Sequence, residues 1–220
     1  MTAVNKSYVL RAGRMTGAQK RSYEEYSGAW LVPFVPGKAL DREAVFANPE
    51  PLCVEIGFGM GTATAVLAAQ NPGVNYLGIE VHRPGIGRLL WEIEKRGLSN
   101  IRIIEGDAVD VISAMSFRAD SFHIFFPDPW PKKRHHKRRL VREPFTSLLA
   151  QKLKKGGYLY MVTDWEDYGH WALAALDATE GLENRYEGFA PAQTWRPETK
   201  FERKGIEKNH GVWELMFERG

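Results

Sequence analysis

Between Leu52 and Asp164 the chain alternates short apolar runs with stretches of helical spacing. Leu52 to Ile56 has the continuous apolar character of a strand buried on both faces, and Gly57-Phe58-Gly59-Met60-Gly61 breaks it. The Ala-rich segment Thr62 to Gln70 follows, with good helix propensity, and ends at Asn71-Pro72-Gly73. Val74 to Glu80 predicts a second strand; Ile86, Leu89, Leu90 and Ile93 then recur at i, i+3, i+4 and i+7, the spacing of an amphipathic helix that Gly97 closes. Ile101 to Ile104 is a third strand and Ala108 to Met115 the next helix. Phe122 to Phe126 is a fourth strand that Pro127 stops, since proline cannot donate to a ladder. Phe145, Leu148, Leu149 and Leu153 mark a helix ending before Gly156-Gly157, and Tyr158 to Val162 is a fifth strand reaching Thr163-Asp164.

Strands alternating with helices predict an open parallel α/β sheet with right-handed crossovers. The end of the chain departs from that rhythm: Asn184 to Phe189 and Gly211 to Glu218 read as two strands joined by a polar loop, a terminal antiparallel pair. Residues 1 to 27 carry Lys6, Arg11, Arg14, Lys20 and Arg21 with little apolar periodicity, which reads as a flexible basic arm before a single domain of residues 28 to 220. Trp30 to Pro36 looks like an extended segment laid on that domain.

Composition narrows the class. The 220 residues are 44% hydrophobic, ample for a core, and contain no run of 18 apolar residues, so no membrane-spanning helix is expected. Met1 to Leu10 lacks the pattern of a secretory signal, which gives a cytoplasmic expectation. The one cysteine, Cys53, reads as a buried thiol, and without Cys pairs or a spaced His cluster no metal site is expected. Net charge is only +3, so basic character is local.

In such sheets ligands bind beyond the carboxyl ends of the strands, near the point where strand order reverses. Acidic residues recur at that end: Glu55, Glu80, Asp107, Asp128 and Asp164 lie at or just past the five predicted strand ends. Asp107 has a structural alternative as cap of the helix beginning at Ala108. The glycine loop, Gly57, Gly59 and Gly61, lets backbone approach a ligand, and Glu80 falls 19 residues after Gly61, where a ribose-binding carboxylate belongs in a dinucleotide fold. Thr62 replaces the third glycine of G-x-G-x-x-G, which disfavours a dehydrogenase. An acid-lined pocket suits a cationic nucleoside cofactor such as S-adenosylmethionine better than a pyrophosphate.

Past the fourth strand, Pro127, Pro129 and Pro131 hold Asp128 and Trp130 in a nearly preset geometry. A carboxylate beside an aromatic ring suits a nucleobase. Six of the eight residues Lys132 to Arg139 are Lys or Arg, a phosphate-binding composition. An RNA-binding protein without catalysis and an NAD-dependent oxidoreductase remain as alternatives, both weaker than a nucleic-acid methyltransferase.

Val54-Glu55-Ile56-Gly57-Phe58-Gly59-Met60-Gly61, Gly78-Ile79-Glu80-Val81-His82, Phe125-Phe126-Pro127-Asp128-Pro129-Trp130 with its basic run, Thr163-Asp164-Trp165-Glu166 and Thr199-Lys200-Phe201-Glu202 occur in that order. Together they resemble bacterial tRNA (guanine-N7-)-methyltransferases of the TrmB type. The resemblance implies a Rossmann-like class I methyltransferase fold: a seven-stranded, mostly parallel sheet with the last strand antiparallel and helices on both faces. It implies methylation of a guanine in the tRNA variable loop, position 46, to 7-methylguanosine, by a monomer or homodimer that consumes S-adenosylmethionine and releases S-adenosylhomocysteine. On the matching positions, Glu55, Gly57, Gly59, Gly61, Glu80, Asp107 and Asp128 would hold the cofactor, and Asp128 would also act in catalysis. Lys132, Asp164, Thr199, Lys200, Phe201 and Glu202 would hold the guanosine, and Arg134, His135, His136, Lys137, Arg138 and Arg139 would contact RNA. Pro131, between Trp130 and Lys132, is a point of variation in the motif.

Overall fold

Apolar positions along the central strands alternate between two packing layers, which is what a sheet covered on both faces requires. Leu52, Val54 and Ile56 enter one core and Cys53 the other; Phe122 and Ile124 oppose Phe125, and Leu159 and Met161 oppose Tyr160 and Val162. The computed structural model describes Tyr8, residues 13–197 and residues 211–220. Its seven strands are β1 (Leu52–Ile56), β2 (Asn75–Glu80), β3 (Ile101–Glu105), β4 (Ala119–Phe125), β5 (Leu153–Thr163), β6 (Leu182–Asn184) and β7 (Trp213–Arg219). They lie in the order β3-β2-β1-β4-β5-β7-β6, with β7 antiparallel to both neighbours and the other pairings parallel. This is the predicted mostly parallel sheet.

Among the described residues seven α-helices flank it: α1 (Gly17–Trp30), α2 (Arg42–Val45), α3 (Thr62–Gln70), α4 (Arg83–Arg96), α5 (Ala108–Ala114), α6 (Phe145–Lys152) and α7 (Glu166–Asp177). Buried residues of α3 and α4 pack in one layer with Tyr23, Tyr26 and Trp30 of α1 against them. Buried residues of α5, α6 and α7 fill the other. None of the described helices is long and apolar enough to cross a membrane.

The structure departs from these expectations in several places. The basic stretch expected as an arm up to residue 27 folds from Gly17 into α1, begun by a capping box in which Thr16 Oγ1 accepts from Gln19 N at 3.3 Å and Gln19 Oε1 accepts from Thr16 N at 2.8 Å. Gly87 lets α1 dock closely on α4, because a Cβ there would sit 2.4 Å from Gln19 O. The helix assigned to Leu153 stops at Lys152, and β5 starts at Leu153, paired with Ala119, and continues past Gly156-Gly157 with a shift of register against β4 before pairing resumes at Tyr158. The strand expected over 184–189 is Leu182–Asn184, after which Arg185 N donates to Met216 O and Ala190 bridges to Glu214. Helix α7 was not anticipated. Leu31, expected on an extended surface segment, joins the sheet instead, bridging Ile103 beside β3.

Candidate active site

Strand order reverses between β1 and β4, and the described residues place a cleft there at the carboxyl edge. Its walls include Gly57 after β1, Glu80 at the end of β2, Gly106 and Ala108 after β3, and Phe126, Pro127 and Asp128 after β4. Three strand-end features predicted separately therefore meet in one place.

The glycine loop is built from left-handed backbone, with φ of 70° at Gly57, 57° at Gly59 and 66° at Gly61, a region that side chains resist. Its glycines differ in purpose. A Cβ at Gly57 or Gly59 would meet nothing within 4 Å, so the first two leave backbone open to a ligand. At Gly61 a Cβ would lie 2.6 Å from Leu89 Cβ, so the third glycine serves the packing of the loop onto α4. Helix α4 also approaches the loop through Gly85, where a Cβ would stand 1.8 Å from Gly59 O.

Glu80 ties these parts together. Its Oε2 accepts from Gly59 N at 2.8 Å, while Oε1 accepts from Val81 N at 2.7 Å and from His82 N at 3.0 Å. Asp107 caps α5, accepting from Val109 N at 2.9 Å, so the structural alternative for this residue is realised, with the cleft residues Gly106 and Ala108 on either side.

Glu55 is 2% exposed on the α3–α4 side of β1, and its Oε2 has no hydrogen-bond partner among the described residues. Burial pushes its carboxyl up to about 7, the Thr64 hydroxyl opposing the rise and the Glu80 charge adding to it. Between its ordinary value of 4.5 and about 7, the folded chain keeps a proton that the unfolded chain has released. The stability Glu55 contributes is thus complete below 4.5 and is lost as pH rises through about 7. Glu55→Gln, which mimics the protonated form, should match wild type in urea midpoint near pH 5 and exceed it near pH 8. An equal difference at both pH values would show that Glu55 does not titrate differently in the folded and unfolded chain.

The turn after β4 holds two residues in the left-handed region, Phe126 at φ 50° and Trp130 at φ 47°. Each such residue costs about 1–3 kcal/mol and persists only where surroundings enforce it, a pattern typical of functional sites. Between them Pro127 and Asp128 face the cleft. The basic run forms a 3-10 helix, Lys133–Arg138. Lys132, Lys133, Arg134 and Lys137 are exposed there. Arg138 stacks over Trp130 at 4.9 Å and His135 meets the same ring edge-on at 5.9 Å. His135 is held below the usual imidazole range, first by desolvation and then by Arg134, Arg138, Lys132 and Lys137.

Arg139 is a correction. Expected on the RNA side, it is 1% exposed, turned inward onto Pro129 and Asp167, and so is not available to a phosphate. His136 is half-buried, edge-on to Trp171 at 5.6 Å. Lys132 and Asp164 do not line the cleft; Asp164 sits half-buried just past β5. Thr199, Lys200, Phe201 and Glu202 lie outside the described residues. Tyr8, Val81 and Leu140, with Ile56 and Ile79, complete the cleft wall and were missed as site residues by sequence reasoning; nothing in the pattern around Tyr8 marks it.

Could this cleft hold S-adenosylmethionine? Open backbone at Gly57 and the acidic end of β2 at Glu80 line it and fit a group with a cationic sulfonium, an ammonium and a ribose; Glu55, Gly59, Gly61 and Asp107, also expected at the cofactor, are not among its lining residues.

Comparison with known proteins agrees with the geometry. Residues 49–215 match the family described as putative methyltransferase, Methyltransf_4. A tRNA (guanine-N(7)-)-methyltransferase of Thiobacillus denitrificans is 49% identical over 216 residues, covering 97% of this chain and 95% of that protein. One from Bordetella pertussis is 48% identical over 217 residues, covering 97% and 85%. Among solved structures, the 16S rRNA methyltransferase KamB superposes with a TM-score of 0.60 at 12% identity over 87% of this chain and 99% of that one. A Streptococcus thermophilus rRNA methylase gives 0.53 at 14% identity over 78% and 88%. The fold is that of class I methyltransferases, and the chain belongs to the tRNA (guanine-N(7)-)-methyltransferase family.

Proposed function

We propose that the protein transfers a methyl group from S-adenosylmethionine to N7 of a guanine in the tRNA variable loop, position 46, giving 7-methylguanosine. The observation that carries the reading is the cleft at the β1–β4 switch point, which Gly57 of the glycine loop, Glu80 and Phe126-Pro127-Asp128 line together. The relatives' names supply the base and the RNA class.

When bound, S-adenosylmethionine supplies an electrophilic methyl group on a sulfonium. Guanine N7 has an in-plane lone pair and no proton to lose, so the site needs no strong general base. Positioning is the main task, and holding two reactants in line can lower a barrier by roughly 7–11 kcal/mol at best. Gly57 and Gly59 present backbone to the cofactor, with Glu55 and Glu80 as its acidic surroundings. Asp128 orients the purine and stabilises the positive charge that develops on it. Lys132, Asp164 and the segment Thr199 to Glu202 serve the guanosine side. Isothermal titration should show saturable binding of S-adenosylmethionine and none of NAD; the reverse would make the protein an oxidoreductase.

The exposed part of the basic run serves the RNA backbone. Arg134→Ala with Lys137→Ala should weaken tRNA binding and flatten its salt dependence by about 0.7–0.9 log units per lost phosphate contact, with cofactor affinity unchanged. An unaltered slope of log affinity against log salt would remove these two residues from the interface.

A further inference from the structure

Arg139 ends the basic run, yet its side chain is 0% exposed. Its Nε donates to Pro129 O at 3.0 Å, one NH2 group pairs with Asp167 in the first turn of α7, and its plane lies over the rings of Tyr168 at 5.1 Å and Trp171 at 5.0 Å. Tyr168 OH accepts from Val141 N at 3.1 Å and Trp171 Nε1 donates to Val141 O at 3.0 Å, so the same helix also grips the chain just beyond Arg139. The guanidinium thus spans the gap between α7 and the turn that presents Asp128.

That turn needs outside support. Its residues Phe126 and Trp130 both occupy the left-handed region. Phe126 N donates to Val162 O at 2.8 Å, which fixes the near end to β5. Arg139 reaches the far end, at the carbonyl of the residue that follows Asp128. Burying a guanidinium is costly unless it is paired and bonded, and a phosphate ligand would have been left on the surface, where Lys133, Arg134 and Lys137 are.

We infer that Arg139 is a positioning residue for methyl transfer: a buried clamp from α7 to Pro129 that sets the Asp128 carboxylate, and not a contact to RNA. The inference rests on the function proposed above. Lysine cannot reproduce it, because only the planar fork bonds a carbonyl and a carboxylate in fixed directions while stacking on aromatic faces. Asp167 is the outer end of the clamp; its side chain is 63% exposed and its carboxyl is held below the usual range, first by the hydrogen bond from Arg139.

The test uses the full-length protein, tRNA and S-adenosylmethionine in single-turnover methyl transfer, which separates the rate constant from the amplitude. Arg139→Lys should lower the rate constant at saturating substrates by about tenfold or more, in line with the cost of misplacing a reacting group. The reaction amplitude, tRNA affinity and salt slope should stay at wild-type values. Asp167→Asn, which keeps the arginine buried, should lower the same rate constant by a smaller factor, and the double variant should fall no further than Arg139→Lys alone, since the two act as one unit. A salt slope reduced by about 0.7–0.9 in Arg139→Lys would make the residue a phosphate ligand and overturn the inference. So would a lost amplitude with an unchanged rate constant in both variants, which is the signature of misfolding alone. Should wild type itself transfer no methyl group, the proposed function fails first; active wild type with equally fast variants sinks only the clamp.

Discussion

Asp128→Ala is expected to cost about 100-fold or more in the rate of methyl transfer while tRNA affinity stays within a few-fold. The carboxylate stands on the cleft wall between two left-handed residues, in a turn whose prolines leave little freedom. Removing one preorganised group that stabilises developing charge typically costs about 100- to 1,000-fold in rate, since the surroundings cannot reorganise to replace it. Binding should barely change, because a carboxylate contributes nothing favourable to holding a polyanion. Single-turnover rates and filter binding on the same preparations separate the two quantities. A variant with near wild-type turnover would remove Asp128 from the mechanism.

Gly85→Ala should be nearly as damaging, through the cofactor. The added Cβ would lie 1.8 Å from Gly59 O and 2.9 Å from Gly59 C, which are backbone atoms with no rotamer to give way. Neither side can retreat freely: Glu80 holds Gly59 N, and α4 is packed through Ile86, Leu89 and Leu90, all 0% exposed. Overpacking of this sort costs about 1–3 kcal/mol of stability. A displaced glycine loop should also weaken S-adenosylmethionine binding by about tenfold or more, or roughly 1.4 kcal/mol. Gly28→Ala is the matching control, because its Cβ would meet nothing within 4 Å inside α1; replacing a helical glycine there should stabilise by about 0.5–1 kcal/mol. Calorimetric binding and urea midpoints measure both. Unchanged affinity and midpoint in Gly85→Ala would mean that the loop and α4 are not fixed against each other as described.

The parts of this protein that were legible beforehand are those where local pattern and global demand coincide. Leu52, Cys53, Val54 and Ile56 are apolar because helices cover both faces of the strand, Glu55 being its one buried charged residue, and the same burial made the strand readable. Glu55 and Asp128 could be placed because a strand end beside glycine or proline leaves little choice of where the next residue lies, and Glu80 because it closes an apolar run. Helix α1 was less visible for the opposite reason. Its stabilisation comes from docking on α4, and its Tyr23, Tyr26 and Trp30 stripe is interrupted by polar residues, although the Thr16–Gln19 capping box was there to be read. Gly156-Gly157 signals a stop locally, and the ladder to β4 does shift register there, yet pairing on either side, Ala119 with Leu153 and Ser121 with Tyr158, keeps the strand continuous. Arg139 shows the sharpest limit: six cations in eight positions look alike in composition, and only the partners Pro129, Asp167, Tyr168 and Trp171, brought from elsewhere in the chain, separate the buried one from the rest.

Methyl transfer to tRNA bears most directly on the whole account. Purified protein should be incubated with S-adenosylmethionine and unmodified tRNA carrying guanine at position 46, and with the same tRNA carrying adenine there. The RNA is then digested to nucleosides and fragments for mass spectrometry. The account predicts one 7-methylguanosine per guanine-46 tRNA, located in the variable loop, and none in the adenine-46 substrate. A methyl group on another base or at another position, or equal modification of both tRNAs, would contradict it.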